Sequence, residues 1–144
     1  MDLEATGLDN IIFRSVFMGL SFAEARRLSP SIEAFSELGE YLRMPVRTYS
    51  SGMFLRLAFA ISTAIEPDII VMDEMIGAGD AHFIAKAHGR LSDLLQRVKI
   101  LVLATHDAAI MQSLCNKLVW LDHGQIRKVG SFEEIYPLYL AGTP

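Results

Sequence analysis

The sequence predicts an α/β fold with a mostly parallel sheet from about residue 68 onward. Three observations favour this class. Short aliphatic runs alternate with segments of helical periodicity, as in a sheet whose strands are joined by helices. The runs at 68–73 and 99–104 lack polar alternation, which is typical of strands buried on both faces. The 144 residues, 51% hydrophobic and 21% charged, suffice for one globular core.

The first third of the chain predicts short helices. Ser21 and Glu24 form the pattern of a capping box, which marks a helix start. Ser29 followed by Pro30 predicts a second start, since serine caps helices well and proline suits the first turn. Gly39 is expected to end that helix.

The middle of the chain predicts a longer helix after the small polar turn "SSG" at 50–52. Four apolar positions then step by four residues along one helical face, namely Met53, Leu57, Ile61 and Ile65. Pro67 is expected to end this helix. The strand 68–73 follows directly.

The remaining elements alternate between helix and strand. A helix from 81 to 98 is expected to bury Phe83, Ala87, Leu91, Leu94 and Val98. A strand at 99–104, a helix from 108 and a strand at 117–122 come next. The sequence "DHG" at 122–124 predicts a hairpin turn into a fourth strand. Ser131 and Glu134 form another capping box before the last helix.

Composition restricts the classes of partner. The net charge of -4 offers no general attraction to nucleic acid or to anionic lipid, so we expect no nucleic-acid partner. Charged residues interrupt every apolar run before the ~20 residues that a membrane-spanning helix needs, so no direct membrane insertion is expected. The start lacks the pattern of a secretory signal. Cys115 is the single cysteine, which fits a reducing, cytoplasmic compartment.

Acidic and histidine side chains stand where two neighbouring strands end. In an open parallel sheet the ligand crevice lies at the carboxyl ends of the strands, so Asp73, Glu74 and His106 should face one site. An aliphatic strand that ends in Asp-Glu is the Walker B arrangement of nucleotide hydrolases. The first acid there orders Mg²⁺ and the second accepts a proton from the attacking water. A histidine on the next strand could hold that water in line.

Each signal alone has a structural interpretation. Asp73 and Glu74 could simply begin a solvated loop or cap a helix, and His106 could be an ordinary loop residue. The serines and the glycine at 50–52 could be an ordinary helix N-cap. Only their order along one chain favours a functional site.

Four motifs in order resemble the second half of an ABC transporter ATPase. "YSSGM" at 49–53 is similar to the LSGGQ signature, and Arg56 and Ala58 stand where the family carries arginine and alanine. "IIVMDE" at 69–74 resembles Walker B, and "GAGD" at 77–80 stands at the D-loop. "LATHD" at 103–107 resembles the H-loop with its histidine.

Finer details resemble the subfamily that exports lipid-linked polysaccharides such as O-antigen, capsule and teichoic acid. They are "TYSSGM" before "RLAFA", a Gly-Asp pair in the D-loop, and "TGLDNI" followed by "GLSFAEA". The resemblance extends from about Thr6 to Leu140. It implies the second half of a P-loop NTPase (RecA-like) core, at about 67–144, preceded by the ABC α-helical subdomain at about 1–66.

The resemblance also implies ligands and roles. ATP and Mg²⁺ would be the cofactors, with Asp73 at the metal and Glu74 and His106 catalytic. The nucleotide held by a second ATPase subunit would contact Ser50, Ser51, Gly52, Met53 and Asp80. The partners would be that subunit, in the family a homodimer mate, and membrane permease subunits, to which the segment from residue 8 to about 48 would dock. The chain would lie on the cytoplasmic face of the plasma membrane.

One departure from the family is the lack of a G-x-x-x-x-G-K-[ST] phosphate loop. We therefore expect a truncated ATPase with negligible activity alone, and an unpaired interval between the strands at 99–104 and 117–122, where the phosphate-loop strand would lie. Three alternatives remain open at this point: an ABC ATPase of another transporter class, a lobe of a chromosome-maintenance or DNA-repair ATPase, and a non-catalytic remnant.

Overall fold

A computed structural model describes residues 1–73 and 81–142. Two short 3-10 helices, Gly39–Arg43 and Val46–Thr48, precede the third α-helix. The α-helices are α1 (Gly7–Phe17), α2 (Phe22–Ser36), α3 (Ser51–Ser62), α4 (Ala81–Leu95), α5 (Ala108–Leu114) and α6 (Phe132–Ala141). The strands are β1 (Ile69–Asp73), β2 (Ile100–Ala104), β3 (Leu118–Asp122) and β4 (Gln125–Gly130).

The chain divides into two compact units. The first, here called the helical unit, contains residues 1–68 together with α4 as far as residue 98. The second, the strand unit, contains β1 and the chain from residue 99 onward. The boundary near residue 67 that the resemblance implies stays a prediction, and α4 packs with the helical unit.

The core of the helical unit is formed by three helices and the 3-10 segments between them. Its buried side chains are Ile11, Ile32, Leu38, Leu42, Val46, Leu57, Ala60 and Ile61. A capping box that the sequence analysis missed starts α1, because the Thr6 Oγ1 accepts the Asp9 N–H and the Asp9 carboxylate accepts the Thr6 N–H. These caps fix where α1 begins against the core.

The predicted helix start at Ser29 and Pro30 is wrong. Ser21 and Glu24 do start a helix, as predicted, but α2 then runs without a break to Ser36 with Pro30 inside it. The buried positions of α2 are Ala25, Ser29, Ile32 and Ser36, a single stripe at helical spacing. Burial of this stripe outweighs the hydrogen bond that proline forfeits.

Two predicted helix ends are also displaced. Glu37, not Gly39, occupies the left-handed position after α2, and Gly39 instead opens a 3-10 helix. α3 stops at Ser62, five residues before Pro67, and Ile65 lies beyond it. The Thr63 N–H and hydroxyl both bond to the Phe59 carbonyl, at 3.0 and 2.8 Å, which satisfies that end of the helix locally.

Most of the predicted buried stripe of α4 is confirmed. Phe83, Ala87, Leu91 and Leu94 are at most 7% exposed, whereas Val98 lies after the helix has ended. Phe83 packs against Phe35 of α2 and Phe59 of α3, with ring centroids 5.8 and 6.1 Å apart. This aromatic cluster joins α2, α3 and α4.

In the strand unit, β1 and β2 form the predicted parallel pair, with Asp73 opposite Ala104. β3 and β4 form a separate antiparallel hairpin instead of extending one sheet. Its turn was predicted at 122–124, and His123 and Gly124 there have φ of 47 and 76°. α6 packs on the hairpin through an edge-to-face contact between Tyr139 and Trp120.

The prediction that β1 and β2 are buried on both faces is wrong for the part of the chain described. Burial alternates along both strands, so that Val71 is 76% exposed and Val102 52% exposed. Within residues 1–73 and 81–142, each of these strands therefore has one largely exposed face. An unbroken run of apolar residues therefore predicts that both faces of a strand are apolar. It does not predict that both faces are covered by other elements.

Candidate functional site

The first candidate site is the turn at Ser50–Met53, here called the signature turn, in the helical unit. Ser50 is the N-cap of α3: its Oγ accepts the Met53 N–H at 3.2 Å and its carbonyl accepts the Phe54 N–H at 2.9 Å. Ser50 and Ser51 are exposed. The first turn of a helix also presents N–H groups that have no acceptor within the helix. The turn therefore offers donors at the positive end of a helix dipole.

Packing within residues 1–73 and 81–142 does not require a glycine at residue 52. A β-carbon at residue 52 would find nothing closer than the Ser50 Oγ at 3.9 Å, and Gly52 lies outside the left-handed backbone region. Gly7 is different, since a β-carbon there would overlap the Tyr49 hydroxyl. Glycine inside a helix costs about 1 kcal/mol relative to alanine. The space over Gly52 is thus open from outside the chain.

The chain just before the turn is held firmly. The Tyr49 hydroxyl donates to the Tyr41 carbonyl at 2.8 Å, and burial raises the pKa of that hydroxyl. Its ring packs against the core of the helical unit. The turn therefore starts from a fixed position, with the Met53 side chain packed against the core and the two serine side chains exposed.

A second, separate candidate site lies in the strand unit, at the carboxyl edge of β1 and β2. Asp73 ends β1 opposite Ala104, and His106 follows β2 by two residues. Both Asp73 and His106 are exposed. The structure thus brings these two predicted residues to one edge of the parallel pair, as expected for strands of this topology.

The loop that carries His106 is fixed on both sides. The Asp107 N–H donates to the Thr105 Oγ1 at 3.1 Å, and the Asp107 Oδ1 accepts the N–H groups of Ala109 and Ile110 at 2.8 and 3.2 Å. Asp107 is therefore the N-cap of α5. This hydrogen bonding, which the sequence analysis did not foresee, sets where the loop leaves the sheet edge. Two predicted site residues, Glu74 and Asp80, lie outside the described residues.

Comparison with known proteins identifies the relatives of this chain. No family model matches it. It is 41% identical over 134 residues to an O-antigen export system ATP-binding protein of Myxococcus xanthus, which covers 93% of this chain and 31% of that protein. A Yersinia enterocolitica protein of the same description is 46% identical over 126 residues, covering 88% and 53%. A teichoic acids export ATP-binding protein of Listeria monocytogenes is 36% identical, covering 93% and 40%. The chain is a homologue of O-antigen and teichoic acid export ATP-binding proteins.

Solved structures confirm the fold of this chain. An ATP-binding subunit of an ABC transporter superposes with a TM-score of 0.73 at 24% identity, covering 96% of this chain and 58% of that one. An ATP-binding cassette solved as a post-hydrolysis dimer with ADP and phosphate gives 0.62 at 23% identity, covering 92% and 58%. The predicted P-loop NTPase fold class is thereby confirmed. The chain spans about half or less of the length of the curated relatives named above.

Few potential metal ligands lie at the carboxyl edge of β1 and β2 within the described residues. Within residues 1–73 and 81–142, no group of three or more His, Cys, Asp or Glu side chains is arranged to hold a metal ion. Asp73 offers one exposed carboxylate. A single carboxylate fits Mg²⁺, because this ion takes one or two carboxylates and completes its shell with phosphate and water oxygens.

None of the helices within the described ranges combines the length and the apolar character that crossing a bilayer requires.

Proposed function

We propose that this chain is part of an ATP-binding, energy-coupling subunit of an ABC exporter for lipid-linked polysaccharide, and that its signature turn completes a nucleotide site on a second ATPase subunit. The functions of the relatives, O-antigen and teichoic acid export, support this class of cargo. The observation that carries the proposal is the open space over Gly52 at the start of α3.

The chemistry of the signature turn suits a phosphate. Anions bind helix N-termini because the free N–H groups and the helix dipole both favour negative charge. Ser50 and Ser51 add exposed hydroxyl groups at the same place. Ser50, Ser51, Gly52 and Met53 would therefore contact the γ-phosphate of ATP that the second subunit holds.

Gly52 would let that phosphate approach the backbone closely. Because no neighbour in its own chain demands glycine here, the penalty of a helical glycine has no compensation within the helical unit. Access for a phosphate from outside the chain would explain why residue 52 is glycine. Asp80, in the D-loop of the family, would contact the same partner nucleotide.

The strand edge would serve a different nucleotide. Asp73 would hold Mg²⁺, Glu74 would act as the general base and His106 would orient the attacking water, beside ATP bound to a phosphate loop. The 144 residues contain no such loop sequence. We therefore expect negligible ATP turnover by this chain alone.

An exposed apolar patch around the turn between α1 and α2 fits docking to a permease. Phe17 is 82% exposed, Phe22 55% and Phe13 51%. Large exposed aromatic side chains that lie close together are typical of interaction surfaces. The permease would bind this patch on the cytoplasmic face of the membrane, and closure of the two ATPase subunits on ATP would move it.

Association with an intact ATPase subunit tests the proposal. The probe is the Yersinia enterocolitica O-antigen export ATP-binding protein, and the fluorescently labelled chain is titrated with it in the presence of ATP and Mg²⁺. Gly52→Ala should weaken association about tenfold or more, because the added methyl group blocks the approach of the phosphate. The matched control is Gly89→Ala, also in a helix and with nothing within 4 Å of its added methyl group.

The two alanine variants should be folded alike by circular dichroism and thermal melting. Unchanged association of Gly89→Ala beside weakened association of Gly52→Ala supports the proposal. Equal association of the wild type and the Gly52→Ala variant would overturn it.

A further inference from the structure

Glu37 has an unusual backbone conformation for its residue type. It caps α2 with φ 56°, in the left-handed region where a β-carbon is strained and glycine is not. Gly39, two residues later, occupies the same region with φ 53°. A glycine at residue 37 would satisfy the backbone of this helix end at lower cost. The side chain of Glu37 therefore has a use that offsets the strain.

The Glu37 carboxylate faces three basic side chains from two other helices. Its Oε1 accepts a hydrogen bond from the Lys86 Nζ at 2.5 Å. Its Oε2 lies 3.6 Å from the Arg56 Nη1 and 3.9 Å from the His82 Nδ1. Arg56 belongs to α3, whereas His82 and Lys86 belong to α4. One carboxylate at the end of α2 thus bridges α3 and α4.

Further contacts beside this bridge also join α2, α3 and α4. The Lys86 Nζ also donates to the Phe35 carbonyl at 3.1 Å, so it binds the end of α2 twice. The Arg56 guanidinium lies 5.0 Å from the centre of the Phe83 ring. The Arg56 and Lys86 side chains are only 21 and 31% exposed, so water screens their attraction to Glu37 less than at a free surface.

The bridged helices both lead to predicted site residues. Arg56 lies one helical turn after the signature turn, on the same helix. α4 directly follows residues 74–80, which carry Glu74 and Asp80. We propose that Glu37 is a positioning residue that fixes α3 relative to α4. It thereby holds the signature turn in the position that binds the nucleotide of the partner subunit. This inference rests on the proposed function.

The charge state of Glu37 supports this role. The hydrogen bond from Lys86 lowers the pKa of the Glu37 carboxyl and is the largest cause. Desolvation opposes it, and the charges of Lys86, His82 and Arg56 add to the lowering. The bridge is therefore present at neutral pH and is lost as the pH falls through the lowered pKa. If Glu37 positions α3, the placement of α3 relative to α4 should depend on pH in the same way as the bridge does.

The first arm of the test measures α3 against α4 in the chain alone. Spin labels at Ser62 on α3 and His88 on α4, both exposed, report the distance between the helices. The wild type should give one narrow distance distribution that broadens as the pH falls through the Glu37 pKa. Glu37→Gln should be broad at every pH, and Glu37→Gly should be broad although it relieves the backbone strain.

The second arm measures the ATP-dependent association described above. Glu37→Gln and Glu37→Gly should weaken it about tenfold, while the control Glu40→Gln should not, since Glu40 pairs with Arg43 three residues away, at 3.2 Å. A narrow distribution and full association in both Glu37 variants would overturn the inference. If the wild-type chain does not associate at all, the proposed function fails, and the distance arm still decides the positioning role by itself.

Discussion

Gly7 lies so close to the Tyr49 hydroxyl that a β-carbon at residue 7 would overlap it. The same β-carbon would lie 3.1 Å from the Leu42 Cα, so the backbone of the first 3-10 helix would also have to move. This contact joins the first turn of α1 to the residue before the signature turn. The sequence motif "TGLDNI" therefore has a packing reason for its glycine.

Gly7→Ala should lower the free energy of unfolding by about 1 to 3 kcal/mol, because overpacking against backbone cannot be relieved by a rotamer change. Gly89→Ala, whose methyl group meets nothing within 4 Å, should instead raise it by about 0.5 to 1 kcal/mol through helix propensity. Urea unfolding of both variants measures the difference. Equal effects of the two substitutions would contradict the packing account.

Asn10→Ala should destabilise the helical unit by about 1 to 3 kcal/mol, because it removes three hydrogen bonds between a buried amide side chain and the backbone of Asp2 and Thr6. The Asn10 amide is 1% exposed, accepts the Asp2 N–H at 2.8 Å and donates to the carbonyls of Asp2 and Thr6 at 2.8 and 2.9 Å. Chemical denaturation is the measurement. Asp2→Ala is the control, since it keeps the backbone groups that Asn10 binds, and it should cost much less.

Asp122 should make the hairpin more stable at neutral than at acidic pH. Hydrogen bonds from Arg127, at 3.0 and 2.7 Å, lower the pKa of Asp122 below its ordinary value of 3.8, and a bond with His123 acts in the same direction. A lowered folded-state pKa means that this stability is present above the ordinary value and lost as the pH falls through the lowered one. Asp122→Asn should remove that part of the pH dependence of unfolding. A pH profile unchanged by Asp122→Asn would contradict this account.

Phe17→Ser should change the free energy of unfolding by no more than about 0.5 kcal/mol, because the ring is 82% exposed. The same substitution should reduce co-purification with the permease if the patch is the docking surface. Phe83→Ala, at a ring 2% exposed, should cost about 3 to 5 kcal/mol and serves as the contrast. Full co-purification of a folded Phe17→Ser variant would exclude Phe17 from that surface.

Local signals of hydrogen bonding predicted several elements correctly. The capping boxes at Ser21 and Ser131 start α2 and α6, the Ser50 turn starts α3, and the predicted turn joins β3 to β4. These features are set by side chains within three residues of the backbone they bind, so the sequence shows them directly.

The features that the sequence did not predict share one cause. Each depends on contacts between residues that are distant in sequence. Pro30 was expected near a helix start because its local preference was considered without the buried stripe of α2. Glu37 was overlooked because its three basic neighbours are distant in sequence. The strand edge was anticipated from the topology of parallel strands, whereas the exposure of Val71 depends on what covers the strand and not on the strand itself.

The central claim is that the signature turn recognises the γ-phosphate of a nucleotide held by another subunit. The most direct measurement titrates the labelled chain with the Yersinia enterocolitica protein in ATP and Mg²⁺ and, separately, in ADP and Mg²⁺. The account predicts binding about tenfold or more tighter with ATP, a difference lost in Gly52→Ala and kept in Gly89→Ala. Equal affinity with ATP and ADP would contradict it.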